Sequence, residues 1–309
     1  MKICALSMVK NEQDIIEPFV RHHLGLMDVL YIQDNGSVDK TREILFALVD
    51  EYKGRLIVTT DTEFAYRQSE RMSKLFATVQ PLMRADFMLF LDADEFVGCA
   101  SRAELESQLL VIPPGHQGYA EWWPGVLRGD EYHRPDPLTS FRWMRRERNR
   151  GLVFRKAILR LGGSSPRVTV AQGNHFVLVG AGLGMADAMA PECQTDIRLY
   201  HFPVRSLAQV TAKAVVGWMA ITARDPNARA KGDGLQWAVA YDAAIMGTLD
   251  VAVESFWYTQ PNRGGAIDWD TAVVPLDFRF EYERKYSDGQ PMDALRVIAK
   301  SWERMLATR

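Results

Sequence analysis

Ten residues constrain this chain more than any others: Phe87-Met88-Leu89-Phe90-Leu91-Asp92-Ala93-Asp94-Glu95-Phe96. A wholly apolar run gives way to three carboxylates within four positions. Such a run, with no polar alternation, reads as a strand covered on both faces, as in a parallel sheet. The acids then stand at its carboxyl end, the edge where open α/β sheets receive ligands. Carboxylates so placed repel one another unless a proton or a cation relieves them. A divalent metal with oxygen ligands, itself holding phosphates, suits the position.

Strand patterns at Ile3–Met8, Val29–Gln33 and Leu56–Thr60 precede this one. Helical patterns at Asp14–Leu26, Lys40–Tyr52 and Glu70–Met83 separate them. The alternation predicts an α/β fold with a doubly wound, mostly parallel sheet and right-handed crossovers. From about Pro113 to Pro203 helical periodicity fades. Short strands are expected there at Gly118–Trp123, Val153–Leu161, His175–Val179 and Ile197–His201, forming a mixed or antiparallel annex. Helices return at Leu207–Ala223, Leu235–Met246 and Met292–Leu306. The last carries a 3.6-period apolar stripe of Leu295, Ile298, Ala299, Trp302, Met305 and Leu306. It reads first as docking on its own domain, with a dimer or membrane face as the alternative. The expected organisation is a catalytic domain over 1–205 and a helical C-terminal extension over 206–309. The domain divides into a nucleotide-binding half, about 1–100, and an acceptor-side half, about 101–205.

The 309 residues are 47% hydrophobic and 25% charged, with a formal net charge of −2. Those values fit a soluble globular chain, with no basic excess to mark a nucleic-acid partner. The basic stretch from Arg142 to Arg150 reads as a solvated loop or strand rather than a site for lipid headgroups. Three scattered cysteines, Cys4, Cys99 and Cys193, point to a reducing compartment. No signal peptide is evident, and no run reaches the ~18 apolar residues of a membrane span. The expected location is cytoplasmic, with peripheral contact on the inner face of the membrane left open.

Three strand ends bring polar groups to one sheet edge: Asn11 and Glu12 after the first, Asp34 after the second, and Asp92 and Asp94 after the fourth. In order, Val9-Lys10-Asn11-Glu12, then Tyr31-Ile32-Gln33-Asp34-Asn35-Gly36-Ser37-Val38-Asp39-Lys40-Thr41, then Phe90-Leu91-Asp92-Ala93-Asp94-Glu95-Phe96, resemble the family 2-type glycosyltransferases. The nearest branch carries "KNE", "DNGSxDxT" and "LDxDEF". The resemblance is strong over about the first hundred residues. It is fainter at Gly173-Asn174-His175 and at Leu199-Tyr200-His201-Phe202-Pro203 with Ser206 and Lys213, and it ends by about residue 225.

The resemblance implies a GT-A-like fold and a metal-dependent, inverting transfer. The donor would be a nucleoside-diphosphate sugar, a UDP-sugar first. The acceptor would be a hydroxyl of a glycan or glycolipid, in a setting such as surface polysaccharide or lipopolysaccharide synthesis. By the same resemblance Asp34 would meet the base or ribose, and Asp92 the ribose or donor sugar. Asp94 would bind Mn²⁺ or Mg²⁺ between the two phosphates, with Asp92 beside it. His201 would complete that shell, its imidazole favouring Mn²⁺, or else be a hydrogen-bonded, half-buried histidine. Lys213 would reach the diphosphate. Arg67, Arg71 and Lys74 either neutralise phosphates, Arg71 foremost, or form a solvated helix face. His175 ranks below His201, and His22 and His23 read as surface and packing.

Inverting transfer needs a carboxylate on the acceptor side. Glu121, beside Trp122 and Trp123, leads for that role, followed by Asp130. Glu131, Asp136, Asp187, Glu192 and Asp196 are further candidates, and Glu95 is either structural or acceptor-facing. Haloacid-dehalogenase-type phosphatases want Thr or Val where this chain has Phe96. Sugar nucleotidyltransferases want a glycine-rich loop where it has Met8-Val9-Lys10-Asn11-Glu12. A non-catalytic nucleotide-sugar-binding module remains as an alternative, and a homodimer is open.

Overall fold

The computed structural model describes residues 1–127, 131, 137–145, 155–162, 167–180, 187–249, 273–278, 284–288 and 292–307. The first half alternates β1 (Ile3–Val9), α1 (Ile16–Leu26), β2 (Val29–Asp34), α2 (Thr41–Glu51), β3 (Leu56–Thr60), α3 (Gln68–Met83) and β4 (Phe87–Leu91). Then follow β5 (Glu95–Val97), α4 (Arg102–Leu109), β6 (Gln117–Val126), α5 (Pro137–Ser140), β7 (Trp143–Arg145), β8 (Arg155–Arg160), β9 (Val168–Val170), β10 (Val177–Gly180), β11 (Asp187–Met189), β12 (Glu192–Cys193) and β13 (Arg198–His201). The chain continues with α6 (Leu207–Arg224), α7 (Leu235–Met246), β14 (Val273–Pro275) and α8 (Ala294–Ala307).

Period-2 alternation builds the parallel half. Ile3, Ala5, Phe87, Leu89 and Leu91 pack on one face with Ile16, Phe19 and Val20 of α1 and Leu45 and Leu48 of α2. Cys4, Leu6, Met88 and Phe90 pack on the other face with Met72, Phe76 and Val79 of α3. β4 is buried at every position, which is why it shows no polar alternation. Phe90 is fully buried and stabilises the fold by about 2–3 kcal/mol.

The main sheet runs β14-β7-β6-β8-β4-β1-β2-β3. β3, β2, β1 and β4 are parallel, whereas β8 is antiparallel to β4 and to β6. The chain moves outward from β1 to β3, then returns to lay β4 on the opposite edge of β1. That reversal opens a crevice at the carboxyl ends of β1 and β4. β6 also carries β13, parallel to it, and β13 holds β5 antiparallel, with His201 opposite Glu95. The strand that follows the acids and the strand that ends in His201 are thus hydrogen-bonded neighbours. β9, β10 and β11 form a separate small sheet.

The α/β class, the parallel half and the mixed annex match expectation. The C-terminal extension is less purely helical than expected, because β14 joins the main sheet antiparallel to β7. His175 lies outside the strand assigned to it, in the turn before β10. His23 is fully buried, and its Nδ1 lies 2.8 Å from the Phe19 carbonyl. Glu17 of α1 anchors the tail by accepting the N–H groups of Lys285, Tyr286 and Ser287 at 2.8, 2.9 and 2.6 Å. No described helix is long and apolar enough to cross a membrane.

Candidate active site

The two N-terminal motifs are bonded to each other. Asn11, in the left-handed region at φ 57°, donates its N–H to Ser37 Oγ at 2.9 Å. Its Oδ1 accepts from Val38 N–H at 2.9 Å, and Glu12 N–H donates to Thr41 Oγ1 at 2.7 Å. Asp34 Oδ1 caps the turn by accepting Ser37 N–H at 3.0 Å. The loops after β1 and β2 are therefore one rigid rim. Gly36, at φ 70°, closes it, and the guanidinium of Arg304 from α8 lies against it. Arg304 Nη1 donates to the Gly36 carbonyl at 3.1 Å. The positive φ favours glycine here, and a Cβ would stand 2.7 Å from Arg304 Cζ and push the guanidinium off its seat.

The Asp94 pole assembles on this rim. Asp94 is 3% exposed. Its Oδ2 accepts from Lys213 Nζ at 2.6 Å and lies 3.9 Å from Arg205 Nη1, while its Oδ1 lies 3.6 Å from His201 Nε2. The Phe202 N–H donates to the Asp94 carbonyl at 2.8 Å. Arg205 is completely buried and joins three segments. It grips Asp14 through Nε at 2.8 Å and Nη2 at 3.0 Å, bonds Glu12, and donates to the Phe202 carbonyl at 3.1 Å. Ser206 caps α6 by accepting Gln209 N–H at 3.1 Å, and Gln209 Oε1 accepts Arg205 N–H at 3.1 Å. This Ser-x-x-Gln start is a capping-box variant, and it fixes where Lys213 falls on the helix.

Burial alone would raise the Asp94 carboxyl, but Lys213, His201 and Arg205 outweigh it and hold Asp94 well below the usual range. Glu12 goes the other way: burial pushes it up to about 7 against the pull of Arg205 and Lys213. Burial lowers His201 below its ordinary value, although Asp94 opposes the shift. Lys213 is raised, because Asp94 and Glu12 overcome its burial.

The Asp92 pole has other partners. Asp92 Oδ1 accepts from Gln68 Nε2 at 3.2 Å and Asn174 Nδ2 at 3.0 Å, and Oδ2 accepts from Lys156. Lys156, 1% exposed, also lies 3.1 Å from Glu95 Oε1, and Glu95 Oε2 accepts Asp92 N–H at 2.8 Å. Burial pushes Glu95 up to about 8, though Lys156 opposes it. The Trp122 ring stacks on His201 at 4.2 Å and stands 5.3 Å from Lys156 Nζ, so it bridges the two poles.

A cavity of about 280 Å³ lies over both poles. Its sheet-edge wall includes Asn11, Glu12, Asn35, Asp92 and Asp94. The opposite wall is C-terminal: Ala212, Lys213, Val216, Gly217 and Ala220 on one face of α6, with Trp237 and Met292. A Cβ at Gly217 would stand 2.8 Å from the Trp237 ring, so the missing methyl lets the indole lie on α6. Lys10 also lines the cavity, over the Phe64 ring at 4.2 Å, and burial lowers it to about 8 with help from Arg304 and Arg71.

The structure gathers Asn11, Glu12, Asp92, Asp94, His201 and Lys213 around this cavity. Asp34 and Arg71 stand behind the wall. Asp34 is fully buried, and its Oδ2 has no hydrogen-bond partner among the described residues. Arg71 is 6% exposed, so it does not belong to a solvated helix face. It pairs with Asp61 at 3.0 Å and Glu63 at 3.1 Å, and donates to Asn35 Oδ1 at 2.7 Å. Arg67 and Lys74 are exposed. Glu121 is exposed and leaves β6 on the face opposite its neighbour Trp122, away from His201. Asp130 and Asp136 lie outside the described residues. Both oxygens of Asp92 are engaged by Lys156, Gln68 and Asn174, so the arrangement keeps Asp94 and His201 as the pair able to share an ion. Sequence reasoning missed Lys156 and Arg205. Lys156 had a signal, a lysine at an inward position between apolar neighbours of a strand.

No family model matches the chain, and no curated protein matches it in sequence. Among solved structures, S. aureus TarS is 17% identical over 45% of this chain and 25% of its own, at a TM-score of 0.31. Glucosyl-3-phosphoglycerate synthase from Mycobacterium tuberculosis, in complex with Mn²⁺, UDP and glucosyl-3-phosphoglycerate, is 19% identical over 43% of this chain and 47% of its own, at 0.29. Mannose-1-phosphate geranyltransferase from Thermus thermophilus is 14% identical over 52% of this chain and 50% of its own, at 0.30. The chain thus spans about half or less of each neighbour's length, and at these TM-scores any functional reading rests on the site itself.

Proposed function

We propose that this protein is a glycosyltransferase that takes a sugar from a nucleoside-diphosphate donor, a UDP-sugar first, and passes it to a hydroxyl of a glycan or glycolipid with inversion. One observation carries the reading. At the crevice between β1 and β4, Asp94, His201 and Lys213 line a single cavity together with Asn11, Glu12 and Asp92. Its location is where α/β sheets bind nucleotides, and its charges suit a diphosphate.

The resemblance to family 2-type enzymes implies Mn²⁺ or Mg²⁺. Among the described residues no three His, Cys, Asp or Glu side chains are arranged to hold an ion. Asp94 Oδ1 and His201 Nε2, 3.6 Å apart, are too distant for a hydrogen bond yet near enough to share a cation. Around them Glu12, Asp14, Asp92, Asp94 and Glu95 cluster with Lys156, Arg205 and Lys213. The donor set therefore fits an ion held by Asp94 and His201 and completed by phosphate oxygens. When bound, such an ion supplies Lewis-acid stabilisation of the leaving diphosphate.

The protein's own groups do the rest. With a diphosphate in the cavity, the Lys213 ammonium would offset the negative charge that grows as the glycosidic bond breaks. Asp92, locked by its three donors, presents a fixed carboxylate to the sugar hydroxyls. Glu121 faces away from His201, so Asp130 is the next base to test, ahead of Glu131, Asp187, Glu192 and Asp196. The experiment is a thermal-shift screen across UDP-, GDP- and CMP-sugars with and without Mn²⁺. One donor with Mn²⁺ should raise the melting temperature, and Asp94→Ala should abolish the shift. Ligand at 100 times its Kd adds about 2.7 kcal/mol of stability, which such a screen reads easily. No shift with any nucleotide would overturn the proposal.

A further inference from the structure

α8 has two apolar faces. Val297, Ser301 and Met305 are buried, the two apolar residues packing with Phe64, Ala212 and Val216. Leu295, Ala299, Trp302 and Leu306 form a second stripe at i, i+4, i+7 and i+11. That stripe is open: Leu295 is 80% exposed, Trp302 50% and Leu306 51%, and Ala299 is exposed too. The apolar pattern of this helix is therefore only half explained by docking on its own domain.

The open stripe reads almost the same from either end. A second copy laid antiparallel, crossing between Lys300 and Ser301, sets Leu295 against Leu306 of the partner subunit. The same crossing sets Ala299 against Trp302 of the partner subunit, and symmetry repeats both contacts. Small against large is how facing helices interdigitate. Arg296 and Glu303, seven residues apart, flank the stripe on one side. The antiparallel crossing brings Arg296 towards Glu303 of the partner subunit, twice. Neither side chain has an ion-pair partner among the described residues. Arg296 and Lys300 are exposed on this helix and would attract anionic headgroups, but a lipid surface offers Glu303 no partner, whereas the antiparallel crossing gives both Arg296 and Glu303 an opposite charge.

We propose that α8 is an isologous dimer interface whose occupant is the same helix of a second copy. One helix pair buries less than the ~1,200 Å² of a standard interface, so the dimer is weak and concentration-dependent. Sedimentation equilibrium of the full chain over roughly 1–500 μM, which brackets such affinities, tests this. The mass should rise from 35.0 kDa towards twice that value. Trp302→Glu should hold the chain monomeric with its melting temperature unchanged, because the indole is half exposed. Glu303→Arg should weaken association about tenfold, and Arg296→Glu combined with Glu303→Arg should restore it, since each swapped charge meets its complement. A monomer across the whole range, or a dimer indifferent to Trp302→Glu or to the charge swap, overturns the proposal. Trp302-dependent flotation of a monomeric chain with phosphatidylserine vesicles would overturn it in favour of a lipid surface.

Discussion

Asp92 and Asp94 are two residues apart, yet their surroundings come from different parts of the chain. Asp94 is sealed in, and its cations come from residues 201–213, the end of β13 and the first turns of α6. Asp92 keeps 30% of its side chain exposed, and its donors come from α3, β8 and the turn before β10. A turn at Ala93 and Asp94 splits the pair, so one strand end serves two electrostatic centres. Spacing in sequence therefore says little about shared role: two acids of one motif can differ in exposure and in every partner they have.

The comparison can be broken hardest at Arg205. Replacing it with Met strands Asp14 and Glu12 without their cation and should cost about 4–5 kcal/mol, read from the urea midpoint. Arg205→Lys should recover only part, since lysine cannot grip Asp14 through two bonds. On the Asp92 side, Lys156→Met should cost about 3 kcal/mol, because Asp92 and Glu95 both lose it. No loss from Lys156→Met beside a full loss from Arg205→Met would show that the Asp94 pole alone matters to stability. Lys213 sharpens the contrast. Lys213→Met takes the nearest cation from buried Asp94, so it should cost about 1–3 kcal/mol of stability while kcat for the donor found by thermal shift falls about a hundredfold. A separate effect lies away from both poles and appears only in acid. Burial lowers His22 to about 4 and His23 well below its ordinary value. The unfolded chain therefore binds more protons below about pH 6.5. Stability is fully present above that pH and falls as pH drops towards 4, by at most about 1.4 kcal/mol per group per pH unit. Burial raises Glu12 and Glu95, which sets an opposite slope in the same window. The histidine share is therefore read as a difference: the gap in melting temperature between wild type and His22→Gln with His23→Gln should change progressively from about pH 7 to 4.5, the wild type losing more.

The parallel half was legible because its pattern is local: a buried strand ending in acids, helices of ordinary period, and turn residues at the joins. Asp94 was legible as a candidate for the same reason, and His201 and Lys213 chiefly through the resemblance at Leu199–Pro203 with Ser206 and Lys213. The partners that give them character were not. Nothing near Lys156 in the sequence says that β8 lies beside β4, and nothing near Arg205 says that Asp14 waits for it. Arg71 misled because a helical pattern with exposed neighbours hides one residue turned inward to Asp61. Glu121 misled because Trp122 beside it was read as a companion, whereas strand alternation sends the two to opposite faces.

Arg304 on Gly36 sets an order of assembly. The contact spans 268 residues. At roughly 5–20 residues per second, the ribosome makes the loop after β2 about a quarter of a minute to a minute before the residue that seats on it. During that interval the parallel half can already be hydrogen-bonded, with both N-terminal motifs joined and one wall of the cavity missing. The crevice is thus a late product of synthesis, its far wall supplied by α6, Trp237 and Met292, all made after the strands that form its floor.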